Sequence, residues 1–192
     1  MSLENPKLHW YNQPKTNTTG YKLSGKFDYI TVASSPMEDG ITLEIANSIK
    51  NYINVSSTPY QMNSYNESIN ANFHWFPISE LGFMGFNTIY GFIKTMEKID
   101  KYKQKSIIHC EAGTNRSPTM AMLWLLYKND NNLKKAKSFT PLELDLDSKV
   151  KGNIELGLIP SLEDLNLFFN GIKKDRYLDD ILFNDTDLGN KY

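Results

Sequence analysis

The chain contains 192 residues, a single cysteine and a formal net charge of −1 at pH 7. This length allows one substantial hydrophobic core, and the near-neutral charge gives no overall electrostatic attraction to nucleic acid or to an anionic membrane. A lone cysteine cannot form an intramolecular disulfide, which suits a reducing compartment, and no stretch approaches the ~20 apolar residues of a membrane span. We therefore expect a soluble cytoplasmic protein that binds neither nucleic acid nor a membrane, in an oligomeric state that the sequence leaves open.

Strand and helix signals alternate through the first half of the chain. Residues 27–34 are rich in strand-forming side chains, and residues 41–50 carry apolar side chains at a mixed spacing that fits a short helix. A second apolar strand is predicted over 52–56, and residues 69–78 return to a strand followed by a loop that proline interrupts. A strand, helix, strand order builds a parallel sheet through a right-handed crossover.

The same alternation continues in the second half. From Phe86 to Met96 the apolar residues keep the spacing of one helix face, and the charged stretch 101–105 ends that helix. Residues 106–108 form a short apolar run that fits a buried strand, and residues 117–126 predict a buried helix. The pattern thus predicts an α/β fold with a central, mostly parallel sheet flanked by helices.

The ends of the predicted domain are less regular. Residues 133–159 mix charged and apolar residues and are interpreted as either a lid or a simple insertion, after which Ser161 caps a final amphipathic helix. We expect residues 25–174 to form one domain, preceded by an N-terminal extension over 1–24 and followed by an acidic tail over 175–192.

The loop between the buried strand and the buried helix carries the cysteine. Ser117 is a plausible N-cap and Pro118 suits the first helical position, so the loop ends on a helix N-terminus, where backbone N–H groups favour a phosphate oxyanion. The same field favours the nucleophilic thiolate form of Cys110. Arg116 can hold two phosphate oxygens with its planar fork, and Gly113 permits a tight turn. The alternative from these residues alone is a buried core cysteine and a surface arginine.

This segment also resembles a known signature. His109-Cys110-Glu111-Ala112-Gly113-Thr114-Asn115-Arg116-Ser117 resembles the HCxxGxxRS motif of the cysteine-based protein phosphatases, closest to the dual-specificity branch. The resemblance implies a phosphatase-like sheet with the phosphate-binding loop at the carboxyl end of the strand that leads into Cys110.

The resemblance also implies a role for each matching residue. Cys110 would attack phosphorus and form a phosphocysteine, while Arg116 and the loop amides hold the phosphate oxygens. Ser117 would stabilise Cys110 as a leaving group, and His109 would position the loop rather than act as a base. The phosphate-binding loop itself would comprise the residues Glu111, Ala112, Gly113, Thr114 and Asn115.

The general acid departs from the family pattern. The family usually places an aspartate roughly thirty residues before the cysteine, whereas this chain has no aspartate from residue 40 to residue 99. Glu80 is the best substitute, because it follows Phe76-Pro77-Ile78-Ser79, a stretch similar to the family's segment leading to that aspartate. A glutamate carboxyl can protonate a leaving oxygen, although its extra methylene changes its reach. The alternative for Glu80 is a solvated loop carboxylate.

Together these features predict a protein phosphatase. Its substrates would be proteins that carry phosphotyrosine, and also phosphoserine or phosphothreonine. No cofactor or metal is implied, since the three histidines are too dispersed for a zinc site. The alternatives are a phosphoinositide or RNA 5′-phosphate phosphatase, and a weakly active phosphate-binding module. The loop offers no cation besides Arg116, which argues against a highly anionic head group. Sulfur transfer by Cys110 is a remote alternative.

Overall fold

The computed structural model describes residues 20–35, 48–59, 70–141 and 146–174. A short 3-10 turn at Gly25–Phe27 follows the first strand. The strands are β1 (Tyr21–Lys22), β2 (Ile30–Ala33), β3 (Asn51–Asn54), β4 (Asn72–Trp75) and β5 (Ser106–His109). The helices are α1 (Phe86–Tyr102), α2 (Arg116–Lys128), α3 (Leu133–Lys137), α4 (Leu146–Glu155) and α5 (Leu162–Lys174).

Within the described residues the strands form one sheet in the order β1-β2-β5-β3-β4. All neighbouring strands run parallel except β1, which pairs antiparallel with β2 at one edge. The predicted fold class is therefore confirmed. The β1 pairing was not predicted, because Tyr21 and Lys22 form too short a run to give a strand pattern and lie in the stretch expected to be an N-terminal extension.

The central strand and the helix that follows it form the middle of the core. Every residue of β2, β3 and β5 is buried, as is α2 from Arg116 to Tyr127. Burial along the whole strand is typical of parallel strands covered on both faces. Trp124 is fully buried against Phe27 and Tyr127. Burying each large apolar side chain stabilises the fold by about 2 kcal/mol, which anchors both elements that flank the cysteine loop.

Most predicted elements are confirmed, with shifted ends. The helix predicted from Phe86 extends to Tyr102, and Ser161 does cap the last helix, since its hydroxyl oxygen accepts a hydrogen bond from the Asp164 amide at 3.1 Å. Phe27 is wrong as a strand residue, because it lies in the 3-10 turn before β2. The predicted helix over 41–50 lies almost entirely outside the described residues.

The ends of the chain lie outside the described residues as well. This applies to most of the predicted extension over 1–24 and to the acidic tail over 175–192. In the described part of the chain, no helix combines the length and the apolar character that crossing a membrane requires.

Candidate active site

The cysteine loop lies at the carboxyl edge of the sheet. Ala33 and Asn54, the last residues of β2 and β3, both stand in register with His109 at the end of β5. All three strands are parallel, so the segments that follow them meet at this edge, where open α/β sheets usually bind ligands. The loop from Cys110 to Asn115 is therefore flanked by the segments after β2 and β3.

Gly113 allows the loop to press against the end of β2. Its φ is +71°, and a Cβ atom on it would lie 2.5 Å from the Ser34 amide nitrogen and 2.7 Å from the Ala33 carbonyl carbon. On the same strand end, the Ser35 amide donates a hydrogen bond to the Glu111 carbonyl at 3.0 Å. Only glycine fits a site that combines a left-handed backbone with so close an approach.

The Cys110 sulfur is buried and has two hydrogen-bond neighbours. The Gly113 amide donates to Sγ at 3.2 Å, and the Ser117 hydroxyl oxygen lies 3.4 Å from Sγ. Ser117 also donates to the Ala33 carbonyl at 3.0 Å. The turn of the loop therefore aims an N–H group at the sulfur, an arrangement that stabilises negative charge on it.

The start of α2 differs from the prediction. The helix begins at Arg116, and its N-cap position is occupied by Asn115, so the assignment of Ser117 as N-cap was wrong. Pro118 accordingly stands third in the helix rather than first, still within the first turn, where its missing N–H is tolerated. Because Ser117 lies inside the helix, its hydroxyl contacts Cys110 and the Ala33 carbonyl and does not cap the helix.

Arg116 is buried beside the loop, with only 6% of its surface exposed. Its Nη1 donates to the carbonyl of Ile78 at 3.0 Å, and its Nη2 forms an ion pair with the Glu111 carboxylate. A buried charge is costly unless it is paired and hydrogen-bonded, and these two acceptors meet that need. Arginine has further N–H donors, which remain for a planar, two-point contact with phosphate oxygens.

Glu111 joins two sides of the site. Its Oε2 accepts from Arg116, and its Oε1 accepts from the Thr58 hydroxyl at 2.8 Å. Hydrogen bonds from Arg116, and then from Thr58, lower the pKa of the Glu111 carboxyl, so it is ionised at neutral pH. The segment after β3 is thus tied to the loop through this side chain.

His109 lies beneath the loop and is 2% exposed. Burial lowers the pKa of its ring to about 4, against the opposing effect of a hydrogen bond between the ring and the Cys110 main chain. The ring is therefore neutral at physiological pH and is engaged with the backbone of the residue that follows it. This placement is one that suits a residue holding the loop rather than exchanging protons with a substrate.

Helix α4 supports the far half of the loop. Asn153, 3% exposed, donates through Nδ2 to Asn115 Oδ1 at 2.9 Å and to the Thr119 hydroxyl at 2.7 Å. Lys149 donates to the carbonyl of Thr114. This part of the 133–159 region therefore packs against the loop and supports it. Neither of the two interpretations of this region, a lid or a simple insertion, included such a role.

Glu80 lies two residues after Ile78, whose carbonyl binds Arg116, and its side chain is exposed. Within the part of the chain that the structure describes, no hydrogen bond or ion pair joins Glu80 to Cys110 or Arg116. A tight turn holds the residues next to it, since the Gly82 amide donates to the Ser79 carbonyl at 2.9 Å and Leu81 adopts φ +55°. The Glu80 segment is therefore anchored to the site on its N-terminal side, through Ile78.

Ala112, a residue of the predicted phosphate-binding loop, is exposed.

Sequence reasoning missed Thr58 and Asn153. Thr58 follows β3, so its place beside Glu111 could have been suspected from the rule that parallel strands end at one edge. No spacing signal pointed to Asn153, because it lies 38 residues from its partner Asn115 and the two meet only through the packing of α4 on α2.

A family model confirms the resemblance. Residues 30–151, well over half of the chain, match the dual specificity phosphatase catalytic domain. The chain therefore belongs to the dual-specificity phosphatase family, a family of cysteine-based phosphatases. No curated protein sequence gives a match.

Solved structures share the fold of this chain. The active form of Tk-PTP has 17% identity and a TM-score of 0.52 over 71% of this chain and 96% of its own. Human DUSP28 has 11% identity and a TM-score of 0.52 over 83% of this chain and 100% of its own. Kinase associated phosphatase with its catalytic-site cysteine replaced by serine has 16% identity and a TM-score of 0.50, covering 83% and 96%.

Proposed function

We propose that this protein hydrolyses phosphotyrosine, and also phosphoserine or phosphothreonine, in cytoplasmic protein substrates through a phosphocysteine intermediate. The observation that carries the proposal is the placement of Cys110 Sγ, which has the Gly113 amide at 3.2 Å and the Ser117 hydroxyl at 3.4 Å. Both groups can donate to a thiolate, which is the nucleophilic form of cysteine.

In the first step the Cys110 thiolate attacks phosphorus. An S–P bond forms while the bond from phosphorus to the substrate oxygen breaks, and Glu80 donates a proton to that leaving oxygen. Arg116 and the loop amides hold the phosphoryl oxygens while their charge redistributes. Arg116 is suited to this because its ion pair with Glu111 and its bond to Ile78 fix the guanidinium in the site.

In the second step water hydrolyses the phosphocysteine. The Glu80 carboxylate accepts a proton from the attacking water, an O–P bond forms, and the S–P bond breaks to release inorganic phosphate and the Cys110 thiolate. The Ser117 hydroxyl donates a hydrogen bond to the departing thiolate sulfur and keeps its proton. His109 keeps the loop in place from beneath as a neutral side chain.

A protein substrate with one phosphate suits the charge of the loop. Arg116 is the single cation within the loop and its helix start, Glu111 places a carboxylate beside it, and Lys149 contacts the loop from α4 at the Thr114 carbonyl. A highly anionic lipid head group or an RNA end would gain from more positive charge than this loop provides.

The test is hydrolysis of an aryl phosphate, followed by a panel of phosphopeptides, phosphoinositides and 5′-phosphorylated RNA. We expect turnover of the aryl phosphate and of phosphotyrosine peptides, and complete loss in Cys110→Ser. Full activity of Cys110→Ser would refute the nucleophile assignment. Measurable phosphopeptide affinity without turnover would instead indicate the phosphate-binding module, and preferred turnover of lipid or RNA would overturn the protein substrate.

A further inference from the structure

The Glu111 carboxylate is held by two neighbours. Its side chain is 37% exposed, and the carboxylate lies between the guanidinium of Arg116 and the hydroxyl of Thr58 and accepts a hydrogen bond from each. Its main-chain carbonyl accepts a third hydrogen bond, from the Ser35 amide. The residue directly after the cysteine is thereby fixed to the segments that follow both flanking strands.

The contact has a consequence for the orientation of Arg116. Arg116 is 6% exposed, and its guanidinium has two protein acceptors, the carbonyl of Ile78 and the carboxylate of Glu111. A planar fork held at both Nη atoms has a defined orientation, so its other N–H groups point in fixed directions. Fixing such a group before the substrate arrives is worth a large factor in rate, because small misplacements are costly.

The contact also sets the charge of the site. The Glu111 carboxylate neutralises part of the Arg116 charge, and its side chain is 37% exposed, so solvent-borne anions sense it. A phosphate that binds Arg116 gains from the arginine directly. An additional anionic group on the Glu111 side of that phosphate is repelled by the Glu111 carboxylate. Besides Arg116, the Lys149 ammonium contacts the loop, and it is held at the Thr114 carbonyl, three residues beyond Glu111.

We propose that Glu111 is the positioning residue for Arg116 and that its carboxylate selects against substrates with a second anionic group beside the phosphate. Thr58 holds the carboxylate in place for both effects. The proposal rests on the proposed function, because it describes how the same site binds and selects its phosphate.

The first experiment compares kcat and KM of Glu111→Ala, Glu111→Gln and Thr58→Ala with the unchanged protein on an aryl phosphate. We expect a fall in kcat of about tenfold or more for Glu111→Ala, since Arg116 loses one of its two anchors. Glu111→Gln keeps an acceptor oxygen and should retain most of kcat, and Thr58→Ala should lie between the two. Glu163→Gln is the control, because it makes the same change at an exposed residue away from the loop. Glu163 lies in α5 next to Leu162, whose carbonyl accepts a hydrogen bond from Asn131, beyond the C-terminal end of α2.

The second experiment uses one phosphotyrosine peptide with either alanines or aspartates on both sides of the phosphorylated residue. The unchanged protein should prefer the alanine peptide, and Glu111→Gln should reduce this preference by about three- to tenfold, as loss of one nearby charge predicts. An unchanged preference in Glu111→Gln would overturn the charge selection. Equal or higher kcat in Glu111→Ala would overturn the positioning role and indicate that the carboxylate competes with substrate for Arg116.

A binding measurement separates this proposal from the proposed function. Calorimetry with inorganic phosphate requires no turnover, and Glu111→Ala should bind phosphate about tenfold more weakly than the unchanged protein. If the unchanged protein hydrolyses none of the substrates but this difference is found, the proposed function fails and the positioning role stands. Equal phosphate affinity in both proteins overturns the positioning role, whatever the activity.

Discussion

The Ser117 hydroxyl oxygen lies 3.4 Å from the Cys110 sulfur and donates a hydrogen bond to the Ala33 carbonyl at 3.0 Å. A hydroxyl has one proton to donate, so Ser117 can bond the carbonyl or a thiolate at any one time. The proton is therefore available to the sulfur when negative charge returns to it, as the phosphocysteine breaks down.

The Ser117→Ala substitution should therefore slow the second step more than the first. We expect kcat to fall about tenfold or more, with a burst of product equal to one per enzyme before the slow steady state. Rapid-mixing measurement of aryl phosphate hydrolysis gives both quantities. Ser138→Ala, which removes an exposed hydroxyl at the end of α3, is the control. A loss in kcat without a burst would contradict this role.

Gly113→Ala should damage both the fold and the activity. The added Cβ would lie 2.5 Å from the Ser34 amide nitrogen at a backbone φ of +71°, so either the loop or the end of β2 must shift. We expect the free energy of unfolding to fall by roughly 2 kcal/mol or more and kcat to fall with it. Urea denaturation and aryl phosphate kinetics measure the two effects.

The matched control is Gly171→Ala in α5. Beyond its own turn of helix, a Cβ on Gly171 meets no atom within 4 Å, and alanine is favoured over glycine in a helix by up to about 1 kcal/mol. This substitution should stabilise the protein slightly and leave kcat unchanged. If Gly113→Ala behaved in the same way, the close packing of the loop on β2 would be wrong.

Asn153→Ala should loosen the loop from α4. The substitution removes the hydrogen bonds to Asn115 and Thr119 and leaves a buried hydroxyl with one partner fewer. We expect destabilisation of about 1–2 kcal/mol and a lower kcat, because Asn115 directly precedes Arg116. Asn166→Ala, at an exposed site in α5, is the control for loss of an amide. Unchanged stability and kcat in Asn153→Ala would show that the loop does not depend on α4.

The His109 ring should remain neutral down to low pH. Burial lowers its pKa from 6.5 to about 4, so between these values the unfolded chain binds a proton that the folded chain does not. The His109 contribution to the free energy of unfolding therefore falls as the pH decreases through this window, in total by on the order of 3 kcal/mol. Proton NMR of the ring measures the pKa directly, and titration near 6.5 would contradict the buried, neutral histidine.

Glu80→Gln tests the general acid. A group that protonates the leaving oxygen matters most for poor leaving groups, so kcat should fall strongly for phenyl phosphate and little for an activated nitrophenyl ester. Glu155→Gln, which removes an exposed carboxylate at the end of α4, is the control. An equal loss on both substrates would assign Glu80 to the loop surface rather than to the reaction.

The sequence predicted the centre of the fold well, because that part is governed by local pattern. The apolar run of β5 and the long apolar stretch of α2 each specify one element, and the family motif between them specifies the loop. The parallel order followed from the strand, helix, strand alternation. The start of α2 was misplaced by two residues, because Ser117 has the side chain of a cap although its hydroxyl contacts Cys110 and Ala33 instead.

The contacts that complete the site could not be predicted in the same way. The Glu111–Thr58 hydrogen bond joins residues 53 apart, and the Asn153–Asn115 hydrogen bond joins residues 38 apart. Each depends on the packing of separate elements at one edge of the sheet. Local periodicity carries no information on such pairs, and polar side chains in loops look the same in sequence whether they are buried or solvated.

The most direct test of the account is to trap the covalent intermediate. The protein is mixed with an aryl phosphate, quenched in acid within milliseconds, digested and examined by mass spectrometry. We predict one phosphoryl group on the peptide containing Cys110, accumulating further in Ser117→Ala and absent in Cys110→Ser. The contradicting result would be turnover by the unchanged protein without any phosphorylated Cys110 peptide, in either the unchanged protein or Ser117→Ala. That result would refute the central claim that this cysteine is the nucleophile.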